Sequence, residues 1–90
     1  MDHKVFRILI VEDNHHDFQL AQRVLTRSEL NCQLVWVPRF DETLTHLQRA
    51  SFDIVMLDYN LPDATGIEVF QWLLKENIDV PVIFVTGTGN

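Results

Sequence analysis

The chain has 90 residues, 47% of them hydrophobic, with only 3 Gly and 3 Pro, so it reads as one small folded domain and not as a disordered segment. A net charge of -6 argues against a general nucleic-acid or anionic-membrane surface. The single Cys32 rules out an internal disulfide, no apolar run approaches the roughly 20 residues of a membrane span, and Met1-Asp2-His3-Lys4 opens without a secretory apolar segment. A soluble cytoplasmic domain is therefore expected.

Residues 5–11 read as a strand, apolar except for Arg7 and rich in β-branched side chains. Asp13 or Asn14 is placed to cap the helix expected over residues 16–30, where Phe18, Ala21, Val24 and Leu25 recur at helical spacing with Leu20 on the flank. A second strand spans 33–37 and is ended by Pro38. Asp41 is expected to cap a helix over 41–50, with Leu44 and Leu47 facing inward. The third strand, 53–58, finishes on Asp58. The loop from Tyr59 to Thr65 contains Pro62 and Asp63, and a third helix over 66–77 carries a wide apolar face of Ile67, Val69, Phe70, Trp72, Leu73 and Leu74. A fourth strand is expected over 80–85, followed by the loop Thr86-Gly87-Thr88-Gly89-Asn90.

The order (βα)3β predicts an α/β fold, a doubly wound parallel sheet with helices on both faces and right-handed crossovers. In such a sheet ligands bind at the carboxyl edge. Two apolar strands end there in acids, one in Glu12-Asp13 and the other in Asp58. Carboxylates brought together repel one another unless a cation or protons intervene, so the pattern asks for a metal ion.

Those acids, together with Ile10-Val11-Glu12-Asp13-Asn14, the run Val55-Met56-Leu57-Asp58-Tyr59-Asn60-Leu61-Pro62-Asp63, Gly66, and Pro81-Val82-Ile83-Phe84-Val85-Thr86-Gly87, resemble the receiver domain of two-component response regulators. The resemblance runs over essentially all of the chain. It implies the flavodoxin-like strand order 2-1-3-4-5. It further implies that Asp58 is the phosphoacceptor, taking a phosphoryl group from a histidine kinase or histidine phosphotransfer protein. Mg²⁺ would be the cofactor, held by Asp13 directly, by Glu12 through water, by Asp58 and by the backbone carbonyl of Asn60. Thr86 would be the switch hydroxyl, and Tyr59, Asn60 and Thr88 would tune phosphate lifetime. Such a domain is a signalling phosphoacceptor and not a turnover enzyme; the sequence names no effector.

One family element has no counterpart. Receivers carry a lysine at the end of a fifth strand, and the two lysines here, Lys4 and Lys75, lie at the wrong end of strand one and on the third helix. Arg39 follows an outer strand and is too remote. The chain is thus expected to be a receiver lacking its last helix-strand-helix: a piece of a longer regulator, or a domain that self-associates through an exposed sheet edge. The carboxylate cluster is expected to bind a divalent cation, while switching by these 90 residues alone is not.

Plainer readings stand beside these. Asp13 could serve only as a helix cap, and Asp17 as a first-turn acid favoured by the helix dipole. His15-His16 reads as a solvated loop pair, and Trp36, Trp72 and Phe70 as packing residues. Cys32 has no basic neighbour to activate it. Two other functions compete: an unphosphorylated protein-binding module of the same fold, and a metal-dependent hydrolase using Asp58. The hydrolase would want a second acid two residues after its nucleophile, where Asn60 stands.

Overall fold

The computed structural model describes residues 4–59 and 61–85. Along the chain these form β1 (Phe6–Val11), α1 (His15–Arg27), β2 (Cys32–Val37), α2 (Phe40–Arg49), β3 (Ile54–Asp58), α3 (Gly66–Lys75) and β4 (Val82–Val85). The four strands make one parallel sheet in the order β2-β1-β3-β4. The connection from β2 to β3 passes over β1 and puts β1 and β3 side by side at the centre. Their apolar runs fit that place: Leu9, Val11, Val55 and Leu57 are wholly buried.

Val37 joins those four residues in a core completed by Leu61 and by Val69 and Leu73 of α3. Phe40 and Leu47 of α2 pack against it, and Phe40 meets the edge of Trp72. Thr43, not Leu44, is the buried residue of α2, its hydroxyl donating to the Arg39 carbonyl at 3.2 Å. On the other face α1 covers the sheet less completely. Leu20, Ala21, Val24 and Leu25 line an apolar groove of about 350 Å³ with Ile10, Met56 and Val85. Val24, expected in the buried stripe, is 67% exposed because it overhangs this groove. The apolar face of α3 is also only partly used: Ile67, Phe70 and Leu74 are exposed, with Phe70 turned toward Phe84 of β4.

Element ends depart from the periodicity for local reasons. The first helix stops at Arg27, short of Leu30, because Ser28 folds its hydroxyl onto the Leu25 carbonyl and Glu29 takes φ 65°, which ends a right-handed helix. α3 stops at Lys75, before Asn77, which holds φ 57° at the position where Asn is favoured. β4 begins at Val82 and not at Val80, since Pro81 has no N–H for the ladder and takes part only through its carbonyl, which accepts from Val55. β3 begins after Asp53, whose carboxylate is drawn aside to the backbone N–H of Arg7 at 2.8 Å. His15 and His16 belong to the first turn of α1 and not to a loop; His15 lies against Trp36.

Caps differ too. Asn14 caps α1, its side-chain oxygen accepting from Asp17 N. Asp41 does not cap α2. It sits inside the first turn, and the helix is capped from outside by Asp63, whose two oxygens accept from Phe40 N at 3.0 Å and Asp41 N at 3.2 Å. Burial alone would raise the Asp63 pKa, but these two N–H groups and the Arg39 guanidinium outweigh it and hold the carboxyl below its usual range. The loop that follows Asp58 is thereby fastened to the start of α2. Asp63→Ala is expected to remove about 1 kcal/mol, read as a fall of several degrees in the thermal unfolding midpoint. Asp41→Ala, a first-turn acid, should cost less than half as much.

Candidate functional site

Val11 and Leu57 are the last register partners of β1 and β3, so the residues that follow them, Glu12 and Asp58, emerge beside each other at the carboxyl edge. Both are 7% exposed, whereas Asp13 is exposed. One carboxylate oxygen from each of the three acids falls within 4.8 Å of the others. Ligands of a single octahedral Mg²⁺ lie at most about 4.2 Å apart, so this donor set fits a small hard cation after a modest contraction. All-oxygen, carboxylate-rich coordination is also what such an ion selects.

Glu12 is held from several sides. Its backbone N–H donates to Val37 O at 3.0 Å, its carbonyl accepts from the Trp36 indole at 2.6 Å, and its side chain accepts from Asn14 N at 3.2 Å. Its carboxyl is pushed up from 4.5 to about 7. Burial is the main cause; the Asn14 N–H opposes it, and the charge of Asp58, a side-chain hydrogen bond with Asp58 and the charge of Asp17 add to it. The Glu12 carboxyl thus takes up a proton far more readily than an ordinary glutamate, with its midpoint at about 7.

Gly66 shapes the loop that leaves Asp58. Its N–H donates to Tyr59 O at 2.6 Å, and a Cβ there would sit 2.8 Å from the Phe84 ring and 3.2 Å from Tyr59 Cα. Close approach, not backbone conformation, requires glycine. Thr65 and Glu68 form a reciprocal capping box that starts α3 at this point. Tyr59 is exposed, its ring 6.2 Å from that of Phe84.

Of the residues the sequence singles out, Glu12, Asp13 and Asp58 converge, and Tyr59 lies next to them in the chain. Asn60, Thr86 and Thr88 lie outside the described residues. The histidines are not in the metal-competent group found among the described residues. Sequence reasoning missed the Trp36 indole, the reach of Asp63 and the capping box. Only the box had a local signal, a Thr three residues before a Glu.

A doubly wound parallel sheet with a buried acidic cluster at the carboxyl edge of its central strands defines a class of small α/β ligand-binding domains. The family model of the response regulator receiver domain matches residues 8–90. Regulatory protein LuxO of Vibrio cholerae serotype O1 is 30% identical over 81 residues, covering 90% of this chain and 17% of LuxO. A response regulator from Hahella chejuensis superposes with a TM-score of 0.80 at 37% identity, covering 94% of this chain and 66% of that one. The response regulator TrrA of Thermotoga maritima, solved in complex with Mg²⁺-BeF, gives a TM-score of 0.81 at 25% identity, covering 93% and 71%. This chain belongs to the response regulator receiver domain family, and it has the CheY-like, flavodoxin-like fold. It spans about a sixth of the length of LuxO. Among the described residues no helix is long and apolar enough to cross a membrane.

A carboxyl whose folded pKa lies above its unfolded value contributes stability below the unfolded value and loses it as pH rises through the folded one. For Glu12 that window runs from 4.5 to about 7. The metal-free protein should therefore melt at progressively lower temperature between pH 5 and about 7.5. Glu12→Gln should flatten this profile, and saturating Mg²⁺ should restore stability most at the alkaline end. Thermal melts across this pH range, with and without Mg²⁺, read the effect directly.

Proposed function

We propose that this chain is the phosphoacceptor domain of a two-component regulator and that Asp58 receives the phosphoryl group of a phosphohistidine on a sensor kinase or phosphotransfer protein. The observation that carries this reading is the convergence of Glu12, Asp13 and Asp58 within 4.8 Å at the carboxyl edge. Membership of the receiver family supports it. So does the Mg²⁺-BeF complex of TrrA, which concerns that protein and comes to this chain by similarity.

In this reading Asp13 and Glu12 hold Mg²⁺, with Asp58 and the backbone carbonyl of Asn60 completing the protein's share. A bound Mg²⁺ supplies positive charge that offsets repulsion between Asp58 and the incoming phosphoryl oxygens. The Glu12 side chain hydrogen-bonds to Asp58, and Asp58 acts as nucleophile in its carboxylate form. An Asp58 carboxylate oxygen then bonds to phosphorus as the P–N bond of the phosphohistidine breaks, and the imidazole leaves and takes up a proton. The product is an aspartyl phosphate. Burial of Asp58 limits access of water to it. Thr86 contributes the hydroxyl that meets a phosphoryl oxygen, and Tyr59, Asn60 and Thr88 set how long the phosphate survives. A cytoplasmic location goes with a kinase donor of this kind.

Incubation with acetyl phosphate and Mg²⁺ is expected to add the mass of one phosphoryl group, and Asp58→Asn should abolish the gain. Asp13→Asn should raise the Mg²⁺ concentration needed by roughly tenfold or more. Labelling that persists in Asp58→Asn, or repeated turnover of a phosphomonoester, would overturn the assignment.

A further inference from the structure

Trp36 lies on an outer strand and has no place in the chemistry above, yet its indole N–H makes one of the shortest hydrogen bonds described, 2.6 Å to the carbonyl of Glu12. That carbonyl belongs to the peptide unit joining Glu12 to Asp13. Cα of Glu12, its carbonyl, the N–H of Asp13 and Cα of Asp13 share one rigid plane. Fixing the oxygen fixes the orientation of the plane, and with it the directions in which two of the three clustered carboxylates leave the backbone.

The strands do not supply this restraint themselves. β2 ends at Val37, before Pro38, and its last described contribution to Glu12 is the Val37 carbonyl, which accepts from Glu12 N. The indole provides a donor where the strand has stopped. Its own position is set by packing: the ring stacks on Phe18 at 4.9 Å and 11°, and His15 lies over it at 5.0 Å. The ring has two neighbours on α1, so weakening one leaves the indole in place, and the hydrogen bond alone reaches the peptide between the ligands.

We infer that Trp36 is a positioning residue for the cation site, its indole N–H holding the Glu12–Asp13 peptide plane so that both carboxylates face Asp58. The inference rests on the cation-binding reading given above. It predicts that the indole bond governs metal affinity more than it governs stability. A Glu12 held at its N–H by the strand and at its carbonyl by the indole preorganises the ligands; held at the N–H alone, it lets Asp13, the exposed member, swing away.

The test is calorimetric titration of the full chain with MgCl₂ in three forms: wild type, Trp36→Phe and Phe18→Leu. Trp36→Phe keeps an aromatic ring against Phe18 and deletes the donor, whereas Phe18→Leu weakens the stack and keeps the donor. Trp36→Phe is expected to bind Mg²⁺ roughly tenfold more weakly, and Phe18→Leu to lower the melting temperature with less than a threefold change in affinity. In ¹⁵N-labelled wild type the Trp36 indole peak should shift with the calorimetric midpoint while that of Trp72 stays still. Failure of the wild type to bind Mg²⁺ saturably would overturn the cation-site reading and this inference with it. Wild-type binding with unchanged affinity in Trp36→Phe would overturn the positioning role alone, as would equal weakening in both variants. Should Trp36→Phe fail to fold, a Trp36 indole peak indifferent to Mg²⁺ in the wild type would count against it in the same way.

Discussion

Two buried parallel strands that end in acids at the same level create an electrostatic problem that the rest of the domain is arranged around. At an effective dielectric near 20, two carboxylates 4–5 Å apart repel by on the order of 3–4 kcal/mol. A 90-residue domain has only about 5–15 kcal/mol in hand. The cluster cannot be left fully ionised and empty at little cost. Glu12 answers by holding a proton up to about pH 7, which is the metal-free solution. A divalent cation, as proposed above, would answer it at higher pH. Proton and cation would then compete for one place.

The surroundings of the cluster serve to keep that place in one geometry. The register of β1 with β3 sets Glu12 beside Asp58. The N–H and carbonyl of Glu12 are tied to Val37 and Trp36, and the side chain to Asn14. On the far side, the chain leaving Asp58 is pinned at Gly66 by the Tyr59 carbonyl and at Asp63 by the N-terminus of α2. Each restraint comes from a different element, so the strand ends are held from β2, α2 and α3 together. Asp63 is the clearest link: it is five residues beyond Asp58 and satisfies two backbone donors of a helix that precedes it in the chain.

What could be read from the residues follows from the range of each interaction. Apolar runs marked the four strands, and the two of them closed by acids placed Glu12, Asp13 and Asp58, because strand periodicity and strand ends are local properties. The helix starts were less legible. Asp41 looks like a cap because it stands at the right place in sequence, but the N–H groups of α2 are taken by Asp63, 22 residues from Asp41, and no local pattern announces such a pairing. The Trp36 bond to Glu12 is likewise hidden, since it joins residues 24 apart. Glu29 and Asn77 end their helices through positive φ, which Asn signals only weakly and Glu not at all. Thr65 and Glu68 are the opposite case: their spacing carries a local signal for the box that starts α3, although the sequence reading passes over it.

The apolar surfaces show how the same periodicity can mislead. Val24 and Leu74 sit on helical stripes that sequence assigns inward, yet they are 67% and 62% exposed. A stripe specifies a face, but burial also needs something opposite that face. α1 lies along one side of the groove that Ile10, Met56 and Val85 floor, so Val24 overhangs an open space and not a neighbour. β4 presents the same situation at its edge, with Ile83 exposed on one side of the sheet and Phe84 on the other leaning on Phe70 and Tyr59. The acidic cluster opens into this apolar groove, since Glu12, Asp17 and Asp58 line one end of it. Burial, ahead of any neighbouring charge, is what raises the proton affinity of Glu12, and the apolar side chains along the groove are part of what surrounds its carboxyl.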